Sequence, residues 1–149
     1  MKVKVKKLYP DAQLPTKGTK DSACFDLYAY KEGKDKHSWT IPPHSTLMIG
    51  TGLAFAPKHG YFGAMFPRSG LSTKEGLRLA NCVGIFDEDY RGEYIAAIHN
   101  DSSKPKTIEH GERICQLLFL PYPEVNLKEV EELDETERGV GGFGSTGRL

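Results

Sequence analysis

Turn-forming residues interrupt this chain before any apolar run becomes long enough for an amphipathic helix. The 149 residues hold 16 Gly and 9 Pro. The segments between them are short and rich in β-branched and aromatic residues: 3–8, 25–29, 46–56, 61–66, 92–98 and 114–120. Clear punctuation separates them at Pro42-Pro43, Pro57-Lys58-His59-Gly60, Asn100-Asp101-Ser102-Ser103 and His110-Gly111. Many short strands at close spacing predict an all-β domain, a sandwich, barrel or jelly roll. One short helix is expected after Ser69, over 71–75, with Gly76 ending it. Val125 and Leu127 alternate like a strand, which predicts a further strand over part of 124–137.

Charge narrows the partners. Lys plus Arg number 20 and Asp plus Glu number 20, so the chain is neutral overall and has no global field to draw it to nucleic acid or an anionic membrane. Local bias exists in Lys2, Lys4, Lys6 and Lys7, and in the seven acids of 124–137 set against Lys128 alone. No apolar stretch approaches membrane-spanning length. The charged start is followed by no apolar run and is not a secretory signal, so a cytoplasmic (or nuclear) protein is expected. Without such a signal, the acceptor-like Asn100-Asp101-Ser102 reads as a chance match. Cys24, Cys82 and Cys115 are far apart, and the five histidines form no ligand-spaced pair, so neither a disulfide framework nor a transition-metal site is suggested.

Three stretches carry polar residues that a strand framework alone does not need. The first is Phe66-Pro67-Arg68-Ser69-Gly70-Leu71. There a strand gives way to the expected helix, and Arg68 and Ser69 would stand beside free N–H groups suited to phosphate; a plain helix cap with a surface arginine is the simpler alternative. The second is Asn81-Cys82-Val83-Gly84-Ile85-Phe86-Asp87-Glu88-Asp89-Tyr90-Arg91-Gly92-Glu93. It reads either as a charged hairpin turn or as a base, Asp87, beside an apolar patch, with Tyr90 presenting a ring. No Gly-x-Ser-x-Gly and no Cys near a His occurs, so an activated water suits this chain better than a side-chain nucleophile.

The third is the end of the chain. Gly139-Val140-Gly141-Gly142-Phe143-Gly144 matches G-x-G-x-x-G, but only five residues follow it, which excludes a dinucleotide-binding βαβ unit. Five glycines in the ten positions from Arg138 to Gly147 predict a mobile tail. Arg138, Phe143, Ser145 and Thr146 give that tail a guanidinium, an aromatic face and hydroxyl donors, as a phosphate- and base-contacting segment would have.

Taken in order, these pieces resemble the five motifs of the trimeric dUTPases. Asp21-Ser22-Ala23-Cys24-Phe25-Asp26-Leu27-Tyr28-Ala29 is similar to the first and Pro67-Arg68-Ser69-Gly70-Leu71 to the second. Gly84 to Glu93 is similar to the third, Gly111-Glu112-Arg113-Ile114-Cys115-Gln116-Leu117 to the fourth, and Arg138 to Gly147 to the fifth. Five motifs in register cover nearly the whole chain. Two positions depart from the family pattern: Cys24 replaces the usual Gly, and Phe86 replaces the usual Ile or Val.

The resemblance implies a jelly-roll-like β-barrel core over 1–136 and an arm over 137–149 that closes over an active site. It implies a homotrimer with sites at subunit interfaces, and hydrolysis of dUTP to dUMP and pyrophosphate with Mg2+ on the triphosphate. In that scheme Asp87 is the water's base and Tyr90 packs on the deoxyribose. Arg68, Ser69, Gly70, Gln116, Arg138, Gly144, Ser145 and Thr146 donate to phosphates, and Asp26 holds waters of the Mg2+ shell. Asn81, Gly84, Ile85, Phe86 and Ile95 read the uracil edge, and Phe143 stacks over the base. dCTP deaminase, which shares the fold, would need its base at the pyrimidine ring, and the Asp87…Tyr90 spacing with the full fifth motif favours the pyrophosphatase.

Overall fold

A computed structural model describes residues 1–33, 38–143 and 145. Within them the chain forms eleven strands: β1 (Lys4–Lys7), β2 (Phe25–Tyr28), β3 (Ser38–Ile41), β4 (Thr46–Gly50), β5 (Leu53–Ala56), β6 (Tyr61–Pro67), β7 (Leu77–Leu79), β8 (Gly84–Phe86), β9 (Ile95–Asn100), β10 (Lys106–Glu109) and β11 (Arg113–Pro121). The all-β expectation holds. Hydrogen bonding organises the strands as four antiparallel sheets, β2-β11-β6-β8, β4-β9-β7, β1-β5 and β10-β3, with no closed ring among the described residues. Leu27, Ile41, Ile49, Leu53, Met65, Leu79, Ile98, Ile108 and Leu117, from different strands, are buried together in one core.

The helix over 71–75 is present as one wide π turn, Leu71–Glu75. Gly76 ends it in the left-handed region at φ 69°, with its N–H bonding the Leu71 carbonyl. The single run at 46–56 is two strands. At Gly52 the chain turns at φ 68°, and a Cβ there would lie 2.7 Å from the Ala12 methyl, so only glycine fits. Past that point the chain leaves β9 and pairs with β1.

Two expectations are corrected. Residues 81–95 do not form a hairpin. Gly84–Phe86 pairs with β6, whereas Ile95–Asn100 pairs with β4 and β7, so the acidic segment between them crosses from one sheet to another. Nor does 124–137 contain a strand: it is exposed throughout and unpaired, because no sheet edge of the same chain meets it. Its apolar side chains Val125, Leu127, Val130 and Leu133 stand in solvent.

Asn100 is fully buried, which rules it out as a glycan acceptor in the folded chain. Its side-chain amide donates to the carbonyls of Ile41, Pro42 and Lys104, and its Oδ1 accepts from the Ser102 N–H and hydroxyl.

Candidate active site

The anion-binding residues converge because β2, β11 and β6 are neighbours. Gln116 on β11 stands opposite Asp26 on β2 and opposite Phe66 on β6. Directly opposed residues share a sheet face, so Asp26 and Gln116 lie side by side near the end of β6, where Pro67 leads into Arg68. The register of β11 against β2 shifts between Arg113 and Cys115. This bulge buries Ile114 and Cys115 in succession and turns both Arg113 and Gln116 toward the same cavity.

That cavity, of about 400 Å³, is lined by Asp26, Arg68, Ser69, Gly70, Arg113 and Gln116 among others. Asp26 organises it. Its Oδ1 lies 3.1 Å from Arg68 Nε and its Oδ2 3.1 Å from Arg113 Nη1. Arg68 Nη1 also donates to the Arg113 carbonyl at 3.0 Å, closing a ring of three residues. Gln116 Nε2 donates to the Pro67 carbonyl at 2.9 Å, which fixes the turn from which Arg68 and Ser69 project. Two guanidiniums against one carboxylate leave a net positive cavity suited to phosphate oxygens. Arg113 is the site residue that motif comparison did not single out; its place follows from the bulge. Cys24 lines the same cavity, has φ below zero and so tolerates the side chain where glycine is usual. Burial raises its thiol pKa, as it does more strongly for Cys115.

The second group gathers at the far end of the sheet. β8 is an edge strand, so one side of Gly84, Ile85 and Phe86 pairs with β6 and the other side keeps unpaired backbone donors and acceptors. Space at Gly84 is tight: a Cβ would approach Met65 to 3.2 Å and the Phe86 ring to 3.3 Å, with Asn81 Nδ2 close by at 3.7 Å. Cys82, in the turn before it, has φ 61°.

Asp87 follows β8 at the surface. Its carboxylate makes no hydrogen bond or ion pair among the described residues. Tyr90 N–H donates to the Asp87 carbonyl, and Tyr90 Oη to the Glu93 carbonyl, both at 3.1 Å. Behind them Phe86 stacks on Tyr94, a fully buried ring, with centroids 3.8 Å apart. Glu88 is not free: its oxygens accept from His59 Nδ1 at 2.8 Å and Gly60 N–H at 2.7 Å, and these bonds with Tyr122 hold its pKa down to about 2. Glu93 Oε1 caps Gly52 N–H at 2.7 Å. Glu88 and Glu93 are therefore structural acids. Ile95 opens β9 at the surface, on the other sheet.

One chain does not bring the two groups together. Asp87 lies beyond the Gly63↔Phe86 pair, beside Phe62, whereas Arg68 follows the opposite end of β6. Six residues at about 3.4 Å each put roughly 20 Å between them. The arm residues Arg138, Phe143 and Ser145 are exposed and reach neither group; Gly144 and Thr146 lie outside the described residues.

An all-β fold with a doubly arginine-lined anion cavity and a separate, aromatic-backed acidic loop suits a protein that handles a nucleotide's phosphates and base at different places. The chain belongs to the dUTPase family, whose model matches residues 10–147, and its activity is that of a dUTP nucleotidohydrolase. It is 43% identical over 148 residues to the deoxyuridine 5'-triphosphate nucleotidohydrolase of Nautilia profundicola, covering 99% of this chain and 100% of that one. It is likewise 43% identical over 149 residues to the enzyme of the same name from Escherichia phage T5, covering 97% and 98%. Among solved structures, the Staphylococcus bacteriophage 80alpha dUTPase with dUPNHPP superposes with a TM-score of 0.87 at 28% identity, covering 99% of each chain.

Proposed function

We propose that the chain hydrolyses dUTP at the α-phosphorus, with Asp87 taking a proton from the attacking water, to give dUMP and pyrophosphate. The observation that carries this reading is the state of Asp87: an exposed carboxylate at the end of β8 with both oxygens unengaged, while neighbouring Glu88 is held by His59 and the Gly60 N–H. A carboxylate is a weak base at neutral pH, so most of the acceleration comes from positioning and charge neutralisation.

Arg68, Ser69, Gly70 and Gln116 bind the phosphates in the cavity beside Asp26, and Arg138, Gly144, Ser145 and Thr146 add donors from the arm. A Mg2+ ion on the triphosphate supplies further charge neutralisation. Both Asp26 oxygens already accept from guanidiniums. That suits Asp26 to accept hydrogen bonds from the ion's water shell, and not to bind the ion directly. The free edge of β8, with Asn81 and Ile95, reads the uracil edge; cytosine inverts the donor–acceptor pattern and leaves those groups unsatisfied. Tyr90 packs against the deoxyribose and Phe143 covers the base.

A triphosphate cannot span roughly 20 Å, so the Asp87 loop of one copy completes the anion cavity of another. This supports a homotrimer with shared sites. The unpaired, exposed apolar residues of 124–137 and the exposed Arg138, Val140 and Phe143 support an arm over 137–149 that leaves its own core, over 1–136, to close a neighbour's site. The reaction keeps uracil out of DNA and supplies dUMP for thymidylate synthesis, in the cytoplasm or nucleus. No helix among the described residues is long and apolar enough to cross a membrane.

Pyrophosphate release measured across dUTP, dTTP, dCTP and UTP tests the reading, with turnover expected for dUTP alone. Asp87→Asn is expected to abolish turnover and retain nucleotide binding; loss of both would make Asp87 structural. Truncation before Arg138 is expected to leave a folded trimer with little activity.

A further inference from the structure

Near Asp87, the acidic loop is tied to the rest of the chain through Glu88. Glu88 Oε2 accepts from the Gly60 N–H at 2.7 Å and Oε1 from His59 Nδ1 at 2.8 Å, so both oxygens grip the turn between β5 and β6. The same turn holds the chain as it leaves β11: Tyr122 N–H donates to the Gly60 carbonyl at 3.0 Å, and Tyr122 helps to hold the Glu88 pKa down. Arg91 Nη1 closes the loop from within, donating to the Glu88 carbonyl at 2.6 Å and the Tyr90 carbonyl at 3.0 Å. Asp87, Glu88, Tyr122 and Phe62 together line a cavity of about 500 Å³.

Asp87 itself has no side-chain bond to hold it, yet a general base acts only when it is in place. Its backbone lies between two fixed points, the β8–β6 pairing on one side and the Glu88 clasp on the other. We propose that Glu88 is a positioning residue for Asp87, acting through its bond to the Gly60 amide. The proposal rests on the reading of Asp87 as the base. The contacts differ in weight. His59 is 89% exposed, and an exposed pair contributes little. The charge-assisted bond from a backbone amide is the stronger tether. Gly60, at φ 80°, is also the residue that lets the turn present its N–H.

The test compares kcat, KM and binding of a non-hydrolysable dUTP analogue in four variants of the full chain, with trimer size and melting as fold controls. Glu88→Ala removes the whole clasp; kcat is expected to fall roughly 10- to 100-fold, the scale of a catalytic group displaced by about 1 Å, with KM and analogue affinity within about threefold. Glu88→Gln keeps an oxygen for the Gly60 N–H and is expected to recover most of that loss. His59→Gln is expected to change kcat less than about threefold. In the Asp87→Asn background, Glu88→Ala is expected to have no further effect on residual turnover, because it acts through Asp87. Unchanged kcat in Glu88→Ala overturns the proposal. So does a fall in Glu88→Gln as large as in Glu88→Ala, which would make the charge and not the tether decisive. So does a loss that appears in KM alone. Substantial turnover in Asp87→Asn alone sinks the reading of the base, whatever Glu88 does.

Discussion

The Phe86 ring lies face to face with the ring of Tyr94, centroids 3.8 Å apart and planes within 11° of parallel. Tyr90 leans on both, at 6.1 Å from Phe86 and 6.2 Å from Tyr94. An aromatic in place of the usual aliphatic at position 86 is thus matched by a buried partner, and the wall behind Asp87 is three rings thick.

Tyr94 brings a cost with its ring. Its hydroxyl is buried and has no hydrogen-bond partner among the described residues, and burial raises its pKa to about 12. A Cβ on Gly63 would lie only 2.9 Å from that oxygen, so the neighbouring strand is already as small as a residue can be. Tyr94→Phe keeps the stack and removes the unpaired group; stability is expected to rise by about 1 kcal/mol. Tyr94→Leu loses the stack and is expected to lower it by about 2 kcal/mol. Urea unfolding of both variants checks the sign.

Gly92 makes room for Tyr90. A Cβ there would lie 2.4 Å from the Tyr90 hydroxyl, so Gly92→Ala must move the ring or break its bond to the Glu93 carbonyl. If Tyr90 guards the sugar, discrimination between dUTP and UTP in kcat/KM is expected to weaken about tenfold, ~1.4 kcal/mol. An unaltered ratio with an intact fold would remove Tyr90 from that role.

Asp26 holds Arg68 and Arg113 with separate oxygens. Asp26→Ala frees both guanidiniums to swing and to repel one another. A decline in kcat/KM of about 30-fold, ~2 kcal/mol, is expected, with Arg113→Ala lowering it in the same direction. Steady-state kinetics at fixed Mg2+ tests both; an effect of Asp26→Ala with none for Arg113→Ala would deny Arg113 its positioning role.

The His59–Glu88 pair sets a pH window. Glu88 is depressed to about 2, so its contribution is present above the unfolded carboxylate range and is lost as pH falls through about 2. His59 is raised above 6.5 by the bond and charge of Glu88, so its contribution is full below 6.5 and is lost as pH rises through the higher folded value. Glu124 adds to the rise, and Tyr122, Asp87 and Asp89 face the same cluster. Glu88 shifts further than His59 because it accepts from the Gly60 amide as well as from His59. The melting difference between the parent chain and His59→Gln is expected to be larger at pH 6 than at pH 9. NMR titration is expected to place the His59 pKa closer to 6.5 in Glu88→Gln.

The sequence by itself determined most of the strand-forming runs, the stop at Gly76, and the residues bearing phosphate and acid chemistry. Those follow from local physics: side-chain shape, backbone freedom and charge are properties of single residues and near neighbours. β3, β7 and β10 escaped notice because three or four residues carry too little alternation to read, and residues 81–95 looked like a hairpin because turn residues joined two apolar runs. Which strands pair is a long-range matter. Only the tertiary structure decided that β8 and β9 belong to different sheets, that a bulge at Ile114 brings Arg113 to Asp26, and that Glu88 is tied down while Asp87 stays free. It also separated Arg68 from Asp87 along β6, a distance set by hydrogen-bond register, which no short stretch of sequence encodes.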